Sequence, residues 1–131
     1  AERGPDVRVA ALAEPSTELA RAARARWAGA VEPYHEAGPA PLLIDCLFGT
    51  GLSRGLEVPV AGRLCGLAEA AQLTVACDLP SGVEADSGAF LSRVPAADLT
   101  VTFGALKPAH RLMPAMTSMG RVVLADIGIE A

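Results

Sequence analysis

Three apolar runs of strand length in this chain each end in a glycine-bearing loop that also carries acids, hydroxyls or a lysine. The loops are Asp45-Cys46-Leu47-Phe48-Gly49-Thr50-Gly51-Leu52, Asp78-Leu79-Pro80-Ser81-Gly82 and Thr102-Phe103-Gly104-Ala105-Leu106-Lys107-Pro108. In open parallel α/β sheets, ligands bind at the carboxyl ends of the strands. Three such loops therefore predict one rim on which Asp45 and Asp78 converge.

The remaining pattern agrees. Leu42 to Phe48 is nearly all apolar, as a strand covered on both faces should be. Asp6 to Leu12, Leu73 to Leu79, Asp98 to Phe103 and Arg121 to Ile127 read as further strands, and Val31 to His35 as a short one. A helix is expected from Glu14-Pro15-Ser16 to about Gly29, with Pro15 near its first turn, where the missing N–H costs nothing. Gly49 to Pro59 reads as loop, after which Val60, Leu64, Leu67, Ala68 and Ala71 recur at helical spacing. Ser81 to Ser92 is polar and glycine-rich, and Gly104 to Gly120 is an irregular crossover. Strands alternating with helices or long crossovers predict an α/β fold: a three-layer αβα, Rossmann-like, mostly parallel sheet with helices on both faces. Ala1 to Gly4 read as the tail of a helix with Gly4 at its C-cap, so that something upstream is expected.

Composition narrows the function classes. A net charge of -4 gives no basic footprint for nucleic acid. Arg21, Arg24 and Arg26 read as the solvated face of one helix. No apolar run reaches the ~18 residues of a membrane span, and no signal pattern opens the chain. Cys46, Cys65 and Cys77 form neither an even framework nor a metal spacing. Cys46 and Cys77 sit in buried-strand patterns, where a free cysteine acts as a small hydrophobe. A reduced, cytoplasmic setting is the expectation.

Each candidate residue has two readings. Asp45, inside an apolar run, needs a partner or a cation; it is either a ligand for a hard cation or an acceptor of loop amides. Gly49-Thr50-Gly51 lets the backbone close on a ligand and aim N–H groups at a phosphate, though it is neither the dinucleotide fingerprint nor a Walker loop. Asp78 could act as a general acid or base if burial raises its pKa, or could serve a capping turn. Ser81 offers an oxygen toward Asp45, and the elbow of a serine hydrolase is absent. Lys107 could pair with an anionic ligand or with Asp78. Asp86-Ser87-Gly88 reads as an ordinary turn. His35 and His110 have no partners visible in the sequence and are assigned no role. Met113, Met116 and Met119 suit a core or a subunit contact.

Taken in order, these phrases resemble the NAD(P)H-hydrate epimerase family, the YjeF N-terminal domain. Its Asp-Ala-Leu-Phe-Gly-Thr-Gly-Leu matches Asp45 to Leu52, with Cys46 for Ala. Its Asp-Ile-Pro-Ser-Gly-(Leu/Val)-x-x-Asp-x-Gly matches Asp78 to Gly88, and Thr-Phe-Gly-x-x-Lys-Pro-Gly matches Thr102 to Pro108, with Ala109 for the last Gly. Asp126-Ile127-Gly128-Ile129 closes the domain as the family does. The resemblance implies interconversion of the R and S epimers of hydrated NADH and NADPH at C6 of the nicotinamide ring. It implies a potassium ion on Asp45 and Ser81, and substrate wrapped by Gly49, Thr50, Gly51, Leu52, Ser53, Arg54 and Gly55. Asp78 would contact the reacting end, with Lys107 as its catalytic companion. A consistent route has a protonated Asp78 helping the C6 hydroxyl leave, with water re-adding from the other face. A homodimer and a fused or separate NAD(P)H-hydrate dehydratase are the implied partners. The family's first motif, Asn-Asn-Gly-Gly-Asp, with an Asn ligand for potassium, is not among these residues. Residues 1–131 are therefore expected to be the C-terminal portion of the epimerase domain.

Two readings compete. Some domains of this type are dimerisation and RNA-associated scaffolds, but Asp45, Gly49, Asp78 and Ser81 favour an enzyme and the missing basic patch disfavours RNA. A Rossmann dehydrogenase would need the dinucleotide fingerprint and its ribose-binding acid.

Overall fold

The computed structural model describes residues 4–129, so the helix tail expected over Ala1 to Gly4 lies, for residues 1–3, outside the described residues. The chain divides into two compact units, residues 1–38 and 39–131. The first pairs β1 (Val9–Ala11) with β2 (Val31–Pro33) in parallel, across α1 (Glu18–Ala25). The expected helix starts later than Pro15 because Thr17 is the better cap: its hydroxyl accepts the Ala20 amide at 3.1 Å. The expected strand at Val31 to His35 stops at Pro33 and turns into a single-turn 3₁₀ helix at Tyr34–Glu36.

The second unit is a four-stranded sheet in the order β3 (Leu42–Asp45), β4 (Leu73–Cys77), β5 (Leu99–Phe103), β6 (Arg121–Ala125), every neighbour parallel. Parallel neighbours need crossovers. The first is α2 (Val58–Ala70), which opens with Pro59 in its first turn and buries Ala61, Leu64 and Cys65. The other two contain no α-helix: β4 leads to β5 through turns alone, and β5 to β6 through 3₁₀ helices at Pro108–Arg111 and Ala115–Ser118. Both sheets are parallel and α/β, as the sequence predicts.

Alternation along the strands puts Asp45, Thr74, Ala76, Thr100 and Thr102 on a buried face. There Thr74 Oγ1 reaches the Ala68 carbonyl of α2, and Thr100 Oγ1 donates to Met119 O at 2.8 Å. The core on this side is built by the irregular crossovers: Leu79, Val83, Ala85, Ala109, Ala115 and Met119 form one cluster. Backbone bonds interlock them, with Ala109 N donating to Ala85 O and Ala115 N to Gly88 O. The Asp86-Ser87-Gly88 stretch is the turn the sequence suggests, held by Ser87 N–H and Oγ on the Glu84 carboxylate. The opposite face differs from expectation, since Leu42, Ile44 and Leu73 remain exposed there. A continuous apolar run cannot by itself distinguish cover on one face from cover on two.

The three methionines, equally spaced in sequence, part company in space: Met119 is 1% exposed, Met116 46% and Met113 66%. Met119→Ala should therefore cost about 2–5 kcal/mol, whereas Met116→Ala should stay within about 0.5 kcal/mol. Urea unfolding of the two variants checks the contrast.

Candidate active site

Parallel pairing of β3 with β4, in register Asp45 beside Ala76, brings the loops after both strands to one rim. Asp45 ends β3 and is 1% exposed. Its carboxylate accepts the Ser81 hydroxyl at 2.6 Å, the Ser81 amide at 2.8 Å and the Leu47 amide at 3.3 Å. All three donors are neutral. Burial pushes the Asp45 carboxyl up despite the hydrogen bonds that lower it. Ser81 Oγ in turn accepts the Phe48 amide at 3.0 Å. The loop after β3 is thus clasped by the loop after β4.

Asp78 lies one residue beyond β4 with φ at 71°, the described non-glycine residue with positive φ. Such a backbone costs about 1–3 kcal/mol and persists only where its surroundings hold it. They do so from both sides. Its N–H donates to Val101 O at 2.7 Å, and its carbonyl accepts from His110 Nε2 at 2.7 Å. His110 Nδ1 accepts the Lys107 amide at 2.9 Å, which leaves the ring proton on Nε2 to donate.

The Asp78 side chain is equally constrained. Oδ1 accepts from Lys107 Nζ at 2.5 Å and from Thr102 Oγ1 at 2.9 Å, and Oδ2 from the Thr50 amide at 3.2 Å. Lys107 Nζ also reaches Thr102 Oγ1 at 2.8 Å and Phe103 O at 3.2 Å. Burial raises the Asp78 carboxyl, but the Lys107 ammonium and the other donors outweigh it and hold the group below its ordinary value. The sequence-based route through a protonated Asp78 is corrected accordingly: at neutral pH this side chain is a carboxylate, and the proton beside it belongs to Lys107.

The Phe48 amide of the glycine loop donates to the Ser81 hydroxyl, and the Thr50 amide to the Asp78 carboxylate. Gly49 permits this approach, since a Cβ there would sit 2.9 Å from Asp78 Oδ2. Beyond it Thr50, Gly51, Ser53 and Arg54 are exposed, Gly55 is half-buried and Leu52 is packed inward. Two clefts are present, one lined in part by Cys65, Glu69 and Arg93, the other by Leu106, His110 and Leu124. Neither is lined by Asp45, Asp78 or Ser81; the acids meet at the strand ends themselves.

His110 is the residue that sequence reasoning missed. It is 3% exposed and ties Asp78 to Lys107 from behind, a position no spacing rule reveals. Its only signal was a histidine three residues after Lys107, at a turn opened by Pro108. His35, exposed beside Glu36, takes no part. Cys46 and Cys77 also depart from the buried-strand expectation: Cys46 is exposed and Cys77 half-buried. Partial burial of its sulfur, with the neighbouring Cys77 and the Asp45 charge, pushes the Cys46 thiol up to about 12.

A parallel α/β sheet whose strand-end loops hold one buried acid on a serine and a second on a lysine defines a class of rim-site domain. Comparison with known proteins is specific. A family profile described as YjeF-related protein N-terminus matches residues 1–109, and the chain belongs to that family. It is 37% identical over 97% of its length to a protein of Archaeoglobus fulgidus named bifunctional NAD(P)H-hydrate repair enzyme Nnr, and spans 28% of that protein. It is 36% identical over 99% of its length to an NAD(P)H-hydrate epimerase of Clavibacter sepedonicus, spanning 64% of it. An epimerase of Levilactobacillus brevis is 36% identical over 70% of this chain, which covers 43% of that relative. The chain is thus shorter than the relatives it matches, and their names lend no support to the scaffold alternative.

The raised Asp45 carboxyl fixes the sign of a pH effect. Its folded pKa lies above the ordinary 3.8, so the stability it contributes is complete below 3.8 and is lost as pH rises through the folded value. In potassium-free buffer, the melting temperature of Asp45→Asn minus that of the wild type should increase over that rise, as thermal unfolding at stepped pH would show. A difference independent of pH would contradict the assignment.

Proposed function

We propose that this protein belongs to nicotinamide cofactor repair and interconverts the R and S epimers of hydrated NADH and NADPH at C6. The observation that carries the reading is the Asp78–Lys107 pair, set beside the largely exposed Thr50–Arg54 loop in a chain whose relatives bear that activity's name. At C6 the hydroxyl-bearing carbon neighbours the ring nitrogen, whose lone pair can expel the hydroxyl if the oxygen is protonated. Lys107 Nζ donates that proton and water leaves. Water then adds to the other face of the ring, and its surplus proton passes to the Asp78 carboxylate. Return of that proton from Asp78 to Lys107, 2.5 Å away, restores the site with no net change. Gly49 to Gly55 bind the nucleotide in this reading. A dehydratase acting on the S epimer, fused or separate, and assembly as a homodimer belong to the same proposal.

Potassium fits the residues at Asp45. The donors there are oxygens only: the Asp45 carboxylate, Ser81 Oγ and the nearby Phe48 carbonyl. A buried carboxylate whose hydrogen-bond donors are all neutral gains from a bound cation. Asp45 and Ser81 would hold the ion, which would supply positive charge that keeps Asp45 ionised and the loop after β3 ordered.

Two experiments test these statements. Asp78→Asn and Lys107→Met should each slow epimerisation of purified R epimer by about 10²–10⁴-fold with circular dichroism unchanged; wild-type rates in both would refute the mechanism. Potassium chloride should raise the melting temperature above that in choline chloride of equal ionic strength, and Asp45→Asn should abolish the difference. An equal response in the variant would remove potassium from Asp45.

A further inference from the structure

Cys46 and Cys77 take no part in the chemistry above, yet each adjoins a site acid: Cys46 follows Asp45 and Cys77 precedes Asp78. We propose that the two form a redox modification site, at which a hydroperoxide produces an intrachain disulfide that staples β3 to β4 at the rim.

The geometry is that of a pair one step short of bonding. Asp45 sits beside Ala76 in the parallel register, so the next residues, Cys46 and Cys77, are neighbours. Adjacent strands lie about 4.8 Å apart, inside the roughly 4.4–6.8 Å Cα range that disulfides span. The sulfurs are 3.0 Å apart, against a bond length of about 2.05 Å. Closure therefore asks for a shift of about 1 Å at two strand ends that lead into loops. Both thiols are free, and alternation puts them on the sheet face where Leu42, Ile44 and Leu73 are exposed, so an oxidant can reach them. Cys65, buried on α2, serves as an internal control.

The step balances. One thiol sulfur attacks the hydroperoxide, the O–O bond breaks, and a sulfenic acid forms as water (an alcohol, from an organic hydroperoxide) departs with the thiol's proton. The second sulfur then displaces hydroxide from the sulfenic sulfur, and that hydroxide leaves as water with the second thiol's proton. Two electrons pass from the sulfurs to the peroxide oxygens.

Purified protein would be reduced, treated with excess hydrogen peroxide at low protein concentration, alkylated, and digested with trypsin and a Glu-specific protease. Cleavage after Arg54, Arg63 and Glu69 separates all three cysteines. The expected product is a dithiothreitol-reversible Cys46–Cys77 cross-link, with Cys65 alkylated, an unchanged circular dichroism spectrum and no cross-link in Cys46→Ala. Full alkylation of both Cys46 and Cys77, a cross-link through Cys65, a covalent dimer, or loss of the folded spectrum on oxidation would each overturn the proposal. The readout is independent of the epimerase reading, so either can fail alone.

Discussion

The Asp78–Lys107 ion pair is the interaction on which the rest of this rim depends. It is short, partly shielded from water and shared with Thr102, so it sets both the charge of Asp78 and the position of the lysine. A left-handed aspartate is otherwise an unfavourable way to end a strand. The chain retains it because β5 takes its N–H, His110 takes its carbonyl and Lys107 takes its carboxylate. Two segments, β5 and the turn that follows it, converge on one residue, and the sheet order brings both there. Backbone strain, charge and topology thus reinforce the same geometry.

The two acids, one ending β3 and the other one residue beyond β4, have been pushed in opposite directions by their surroundings. Asp45 is dry and meets only neutral donors, so burial dominates and its carboxyl is raised. Asp78 is less buried and faces an ammonium, so attraction dominates and its carboxyl is lowered. Such a separation suits a division of labour, with Asp45 placed for a cation and Asp78 for proton traffic. The loop after β3 couples them, because Phe48 and Thr50 donate to the residues that hold each acid in place or to the acid itself.

Much of this was legible in the sequence, and the reasons are particular. Leu42 to Asp45 and Leu73 to Cys77 are apolar runs punctuated by acid and glycine, so their strand character and the rim at their ends could be read directly. Asp45, Ser81, Asp78 and Lys107 stood in recognisable phrases, and the contacts Asp45–Ser81 and Asp78–Lys107 join those phrases in the structure. What remained hidden depends on three dimensions. Thr17 displaced Pro15 as the start of α1 through a single capping bond. The charge of Asp78 followed from a lysine 29 residues away. His110 showed no pattern because its two partners belong to different loops. The open face of the four-stranded sheet and the exposure of Cys46 could not be read, since periodicity records which side chains are apolar and not what covers them.

The most direct test of this account is the titration of Asp78 itself, followed through its side-chain carboxyl carbon by NMR in wild type and in Lys107→Met. The account predicts a wild-type midpoint below 3.8, the ordinary value, and an upward move when the ammonium is removed, because burial then acts with less opposition. A wild-type midpoint at or above 3.8, or one that Lys107→Met leaves in place, would contradict the claim that the lysine holds Asp78 ionised.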